Sequence, residues 1–323
     1  MKLPISVLDI GPIEEGRSPS EALQATLKLA LHADQLGCQR FWVAEHHNSP
    51  NIATAAPAVI LGVLGAATTR IRLGSGGVML PNHAPLVVAE QFGTLSAYYP
   101  NRVDLGIGRA PGTNAVAAEA LRRPPDSVFG DELRELLRYL TVGSAAVTAV
   151  PGQGSDVELW LLGSGLDSAR LAAECGLRYA FAHHLKPQLA AESMELYRKE
   201  FRPSGLLGAP YTMVSVHVVC AEDDAEARWL ADPAQLSFIR MKGWPTEGFP
   251  SPAEAAAYSW TADERAAADA RQQAQAVGSP ETVRRRLTDI VGATRPDELM
   301  VMNAVTDPAE RAAALTRVYS LVS

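Results

Sequence analysis

The chain has 323 residues, 47% of them hydrophobic and 20% charged, with a net charge of −7. That composition supplies a large packed core and excludes global disorder and collagen-like repeats. An acidic balance without a long Lys/Arg run argues against nucleic acid or an anionic membrane surface as the main partner. Cys38, Cys175 and Cys220 are far apart and form no CxxC pair, so neither a disulfide framework nor a Cys-rich zinc site is indicated. A reducing cytoplasm is the expected compartment, and Pro4 and Asp9 interrupt the N-terminus before a signal-peptide core can form.

Short apolar runs alternate with helix-length amphipathic segments along the chain. Residues 5–9 read as the first strand. Ser18-Pro19-Ser20-Glu21 has the form of a capping box with Pro at the first helical position, and opens a helix that Gly37 stops. Residues 41–44 are the second strand. The uncharged stretch from Asn48 to Thr69 is long enough to cross a bilayer. Its prolines, glycines and alanines favour instead a buried helix starting near Pro57. Strands follow at 71–78 and 103–107, with a helix over 86–98 between them that Pro100 ends. After an irregular excursion, a helix near 131–140 precedes a strand at 159–162 and a helix over 167–175. The pairs 179–182 with 187–198, and 212–219 with a helix after Glu222, continue the rhythm. A last strand at 299–302 leads to a helix capped by Asp307-Pro308-Ala309-Glu310.

Strands with few alternating polar positions indicate a parallel sheet buried on both faces. Eight strand-then-helix units predict an α/β fold, a closed (β/α)8 TIM barrel forming a single domain over 1–323. Residues 232–260, before the last strand, break the pattern. Pro233, Pro245, Pro250, Pro252, Gly243 and Gly248 are mixed there with Phe238, Trp244, Phe249 and Trp260. Long irregular segments in compact domains are usually lids or binding loops, so Trp244 and Phe249 are expected over the substrate. The alternative is a surface insertion without a role.

Chemistry in a barrel sits at the C-terminal ends of the strands. There the sequence offers Glu45-His46-His47, Gly76-Gly77, Arg109, Gly163-Ser164-Gly165 and His183-His184. Glycines before a helix leave N–H groups free to meet an anion, and Arg109 on the neighbouring strand can pair with phosphate, with Ser164 and Ser168 adding hydroxyl donors. An ordinary turn beside a surface arginine is the plainer reading. Gly76-Gly77 within a strand suggests a bulge or a close backbone approach to a flat ligand. Adjacent histidines on a strand point to opposite faces, so no metal site is expected.

Four stretches together carry a resemblance. Phe41-Trp42-Val43-Ala44-Glu45-His46-His47, Gly76-Gly77-Val78-Met79-Leu80-Pro81-Asn82-His83-Ala84-Pro85, Gly106-Ile107-Gly108-Arg109-Ala110-Pro111-Gly112 and Val277-Gly278-Ser279-Pro280-Glu281-Thr282-Val283 resemble the bacterial-luciferase-like flavin monooxygenases. The match runs in order over almost the whole chain, and single-chain members, some associated with antibiotic biosynthesis, look most similar. The resemblance implies a monooxygenase that uses reduced FMN (FMNH2) and O2 to oxygenate a small organic substrate through a flavin C4a-hydroperoxide. His46 matches the active-site histidine, and Gly76-Gly77 a non-proline cis peptide beneath the isoalloxazine ring. Arg109, Gly163 and Ser164 match the flavin-phosphate contacts. His47 and Glu90 match residues that meet across a homodimer interface. Gly108 stands where luciferase has a reactive cysteine, so an aldehyde substrate and light emission are not implied. No GxGxxG follows a strand, so a separate NAD(P)H flavin reductase is expected to supply FMNH2. Alternatives on the same fold are a deazaflavin (F420)-dependent hydride-transfer enzyme and a non-catalytic flavin-binding protein.

Overall fold

The computed structural model describes residues 2–123, 128–143, 146–240 and 244–322; Gly243 of the expected insertion lies outside them. The first half alternates as β1 (Ile5–Asp9), α1 (Pro19–Leu36), β2 (Arg40–Val43), α2 (Pro57–Ala67), β3 (Arg72–Ser75), β4 (Val78–Met79), α3 (Pro85–Tyr98), β5 (Val103–Gly108), α4 (Ala115–Ala120) and α5 (Phe129–Leu140). The second half continues with β6 (Glu158–Gly163), α6 (Leu166–Cys175), β7 (Arg178–Ala182), α7 (Ala190–Glu200), β8 (Thr212–Cys220) and α8 (Asp224–Arg240). It ends with α9 (Pro252–Ala257), α10 (Ala262–Gln273), β9 (Ala276–Gly278), α11 (Pro280–Thr294), β10 (Glu298–Met302) and α12 (Pro308–Val322). The local signals act as anticipated at α1. Ser18 accepts from the Glu21 N–H while the Glu21 carboxylate accepts from the Ser18 N–H, and Gly37 ends the helix at φ +88°.

Strands β1, β2, β3, β5, β6, β7, β8 and β10 pair in that order, all parallel, and β10 returns to β1. The result is a closed eight-stranded barrel ringed by helices, the (β/α)8 architecture. Strand side chains alternate between two cores. Phe41, Val43, Leu105, Tyr179, Phe181 and Val214 face outward under the helices. Leu8, Trp42, Trp160, Ala180, Met213 and Met300 fill the lumen. Trp42 and Trp160 meet edge to face there with centroids 5.3 Å apart, an arrangement worth about 0.5–1.5 kcal/mol beyond area burial.

The N-terminal end of the lumen is charged. Arg40 at the start of β2 bonds Asp104 at 2.8 Å, Glu158 at 3.0 Å and Glu298 at 3.1 Å. Arg72 joins Asp104 from β3, and Ser6 donates to Glu298. Buried ions of this kind persist only when paired and hydrogen-bonded. This network fills the floor of the barrel.

Three features depart from the sequence reading. The expected strand over 71–78 is two short pieces, because the chain breaks at Gly76–Gly77. The insertion expected as a loop over 232–260 is half helical: α8 runs on through Pro233 to Arg240, and a second capping box, Ser251 with Glu254, starts α9. The extended remainder, 244–250, is tied across the barrel mouth, with Phe249 bonded to Ile13 and Glu15. Finally, β9 adds to the upper part of β8.

Candidate active site

Beyond its last paired residue, β2 delivers Glu45, His46 and His47 in succession. Glu45 is fully buried. Its Oε1 accepts from His47 Nε2 at 2.9 Å, His83 Nε2 at 2.9 Å and Asn82 Nδ2 at 3.2 Å, while Oε2 accepts from the Met79 N–H at 3.1 Å. A carboxylate only accepts, so both imidazoles carry a proton on the nitrogen facing it. Burial pushes the Glu45 carboxyl up, but the bonds from His47 and His83 outweigh it and hold it at about 2. Glu45, His47 and His83 bring three possible metal-ligand atoms within 4.8 Å of one another. From the sequence, Glu45-His46-His47 and His183-His184 are the strand-end groups to consider, and no metal site is expected of them; His83 is not among them. The carboxylate already has its donors, and it anchors the end of β2 to the turn after β4.

His46 is different. Its backbone N–H donates to the Thr54 carbonyl at 3.0 Å, and its Nδ1 is buried without a partner among the described residues. Burial lowers its pKa to about 4, so the ring is neutral at neutral pH. Val43 pairs with Ser75, which sets His46 beside the Gly76–Gly77 break on the neighbouring strand.

That break is a wall without side chains. The Gly76–Gly77 peptide is cis. A Cβ on Gly76 would stand 2.4 Å from Leu8 Cδ1, one on Gly77 2.7 Å from the Gly106 carbonyl oxygen, and one on Gly106 2.1 Å from the Ser75 carbonyl oxygen. At Gly77 and Gly106 the collision is with backbone, so only glycine fits there, whereas at Gly76 it is with the end of the Leu8 side chain. Pairing with β5 slips here by one residue, from Gly74↔Asp104 to Val78↔Ile107, which is the bulge that two glycines in a strand predict. Ser75 Oγ closes the gap in the ladder, donating to the Gly106 carbonyl at 2.8 Å and accepting its N–H at 3.0 Å.

Arg109 follows β5 and Gly163 ends β6. The register Ile107↔Leu161, continued, sets them level at the rim. Arg109 is exposed and enters no ion pair among the described residues; Arg123 donates to its carbonyl at 2.6 Å. Gly163 is required because a Cβ would lie 1.9 Å from Ser168 Oγ. Gly165 is the N-cap of α6 and offers no side chain, so the first N–H groups of that helix are uncapped by a side chain. Ser168, expected as a hydroxyl donor, is already committed to the Gly165 carbonyl at 2.7 Å and Tyr179 OH at 3.0 Å. Ser164 is left with the glycines as the candidate donor.

Trp244 Nε1 donates to the Asn48 carbonyl at 2.5 Å, so the 244–250 strap reaches the loops after both β1 and β2. A cavity of about 250 Å³ lies between this strap and the end of α8, beside Arg240 and Trp244, and no residue of the glycine wall lines it. His47 is bonded within its own chain to Glu45, and Glu90 sits on α3. Sequence reasoning missed the roles of Glu45 and His83, and did not single out His217 on β8, whose Nδ1 is buried without a partner among the described residues. A buried histidine two residues beyond Ser215 on β8 was the available signal.

The luciferase-like monooxygenase family model matches residues 4–295. A luciferase-like monooxygenase of Escherichia coli strain K12 is 41% identical over 311 residues, covering 95% of this chain and 93% of that protein. The N-acetyl-S-alkylcysteine monooxygenase of Bacillus subtilis is 42% identical over 190 residues, covering 56% and 57%. The crystal structure of apo-MsnO8 superposes with a TM-score of 0.89 at 36% identity, covering 99% of this chain and 98% of that one. The fold alone is shared, at 19% and 15% identity, with an FMN-bound oxygenating constituent of 3,6-diketocamphane monooxygenase from Pseudomonas putida and an F420-dependent secondary alcohol dehydrogenase. This chain belongs to the luciferase-like monooxygenase family.

Proposed function

We propose that the chain is a flavin-dependent monooxygenase that takes reduced FMN and O2 and oxygenates a small organic substrate. The observation that carries this reading is the glycine wall, Gly76, Gly77 and Gly106, next to the neutral, unpartnered Nδ1 of His46. A flat aromatic ring system fits against a stretch of strand that carries no side chains. Bound reduced flavin would supply O2 activation and delivery of one oxygen atom.

The chain's own residues have separate tasks. Gly76 and Gly77 seat the ring. Arg109 pairs with the flavin phosphate, and the backbone of Gly163, Ser164 and Gly165 at the start of α6 donates to it. The neutral His46 ring holds a hydrogen bond at Nδ1, and it is charged only while it carries a transferred proton. The strap carrying Trp244 and Phe249 covers the mouth and excludes water. Reduced flavin comes from a separate NAD(P)H-dependent reductase. The functional unit is a homodimer in which His47 and Glu90 lie near the partner. Supporting this, α2 contains no charged residue and leaves Val59 70% and Val63 56% exposed. The Bacillus subtilis relative's name makes an N-acetyl-S-alkylcysteine the first substrate to try.

Anaerobic titration with FMNH2 and with reduced F420, followed by ¹⁸O2 and N-acetyl-S-methylcysteine, tests the reading. We expect FMNH2 to bind, O2 to be consumed and label to enter an organic product. Binding of reduced F420 without O2 uptake would make the protein a hydride-transfer enzyme. Flavin binding without turnover of any substrate tried would make it a flavin carrier.

A further inference from the structure

A second polar cluster stands at the barrel mouth, built from β8, α8, α10 and the segment before β9. Met213 lies in the lumen, and strand alternation sets Ser215 and His217 on the same side above it, while Val214, Val216 and Val218 face the helices. His217 is 3% exposed, and its Nδ1 has no partner among the described residues. Beside it, His184 Nδ1 contacts Ser215 Oγ at 2.9 Å. Gln275 is buried, and its Oε1 accepts from Gln235 Nε2 at 3.0 Å. Gln235 Oε1 in turn accepts from Arg271 Nη1 at 2.9 Å.

Arg271 is the unusual member. Its guanidinium is half-buried over the Phe238 ring, 4.4 Å from the centroid, and its hydrogen-bond partner among the described residues is a neutral amide. Arg40 and Arg311, also buried, each face carboxylates. Arg102, Arg198 and Arg286 bond backbone carbonyls. Among the described residues Arg271 has neither, so most of its five donors are uncommitted there. A desolvated cation without a counter-ion is costly, and a bound anion removes the cost. Both Arg271 and His46 lie within electrostatic reach of His184, which ties this cation to the flavin side of the mouth. The expected phosphate contacts, by contrast, are on β5 and β6.

We propose that Arg271, with His217 and Gln275, seats a carboxylate on the organic substrate. One planar guanidinium among neutral donors matches a monoanion, which it can grip through two parallel N–H bonds. Burial keeps His217 uncharged, with a pKa of about 3, so it adds a neutral hydrogen-bonding ring and no second charge. The assignment rests on the flavin reading only for the statement that the anion belongs to the substrate.

Calorimetric titration of the purified protein with two pairs of probes tests it: hexanoate against hexanamide, and N-acetyl-S-methylcysteine against its methyl ester. The expected result is a preference for the acid of about tenfold or more in at least one pair. That preference should vanish in Arg271→Gln and return in part in Arg271→Lys, with melting curves verifying that both variants fold. Equal binding of acid and neutral probe in both pairs, binding of neither, or a preference that survives Arg271→Gln overturns the assignment. FMN titration of the wild-type protein is scored separately. Failure of FMN to bind removes the flavin reading and leaves an acid preference standing, whereas loss of that preference with FMN bound removes only the carboxylate seat.

Discussion

Single side chains at the mouth make separable demands. An exposed arginine level with an uncapped helix start has one evident ligand chemistry, so Arg109→Ala should weaken FMN by roughly 10–100-fold, the value of one or two charge-assisted bonds. Riboflavin, which lacks the phosphate, should bind that variant as it binds the wild type; equal losses for both flavins would remove Arg109 as the anchor. His46→Ala should keep flavin binding and release more H2O2 per substrate oxidised, measured by peroxide assay against product. Glu45 is a structural anion. Its folded pKa, about 2, lies below the ordinary carboxyl value of 4.5, so its contribution is present above pH 4.5 and lost as pH falls toward 2. Glu45→Gln can keep an oxygen toward the two imidazoles only by setting its NH2 against the Met79 N–H, donor facing donor. A loss of roughly 1–3 kcal/mol at neutral pH is expected in denaturant melts.

At the scale of elements, the β3–β5 contact is the most sensitive seam. Ser75→Ala removes both bonds that Ser75 makes to Gly106 and leaves a buried N–H and C=O unpaired, at a cost of about 1–3 kcal/mol in thermal or denaturant unfolding. A melting point unchanged in Ser75→Ala would show that the bulge is held by other means. This seam was legible in the sequence, because paired glycines weaken a strand and persist inside an apolar run where the backbone must bulge or be approached closely. The eight barrel strands were legible for a similar reason, since strands buried on both faces read as uninterrupted apolar runs. The segment after β8 was not. Pro233 looks like a breaker but sits within α8, where tertiary packing against β9 and α9 overrides propensity. The α10 helix is Ala-rich and polar, and few of its residues are buried. Strand-end residues such as His46 and Arg109 can be placed from topology alone. Arg271 cannot, because its proximity to His184 depends on how α10 packs beneath α8.

For the molecule as a whole, the histidines that burial holds below their ordinary pKa, His46, His183, His184 and His217, couple stability to pH. His46 and His184 are held at about 4 and His217 at about 3, chiefly by burial, against an ordinary value of 6.5. The unfolded chain therefore takes up protons first. Stability is full above pH 6.5 and falls as pH drops toward 4, by up to about 1.4 kcal/mol per pH unit for each ring. Melting points measured between pH 7 and pH 4.5 should decline steeply, and His217→Gln should flatten the slope by about one proton. At the assembly level, Val63→Glu on the uncharged face of α2 should halve the mass seen by light scattering. A monomeric wild type would remove the dimer. The floor of the barrel, finally, governs traffic. With Arg40, Asp104, Glu158 and Glu298 locked together at one end, the proposed cofactor and substrate would share the opposite doorway, under a strap fastened to two loops. Under the flavin-dependent reading proposed above, spent flavin would leave by the route through which fresh flavin arrives. Turnover then becomes a queue, in which product still in the doorway delays reloading, and product inhibition against FMNH2 is its kinetic signature.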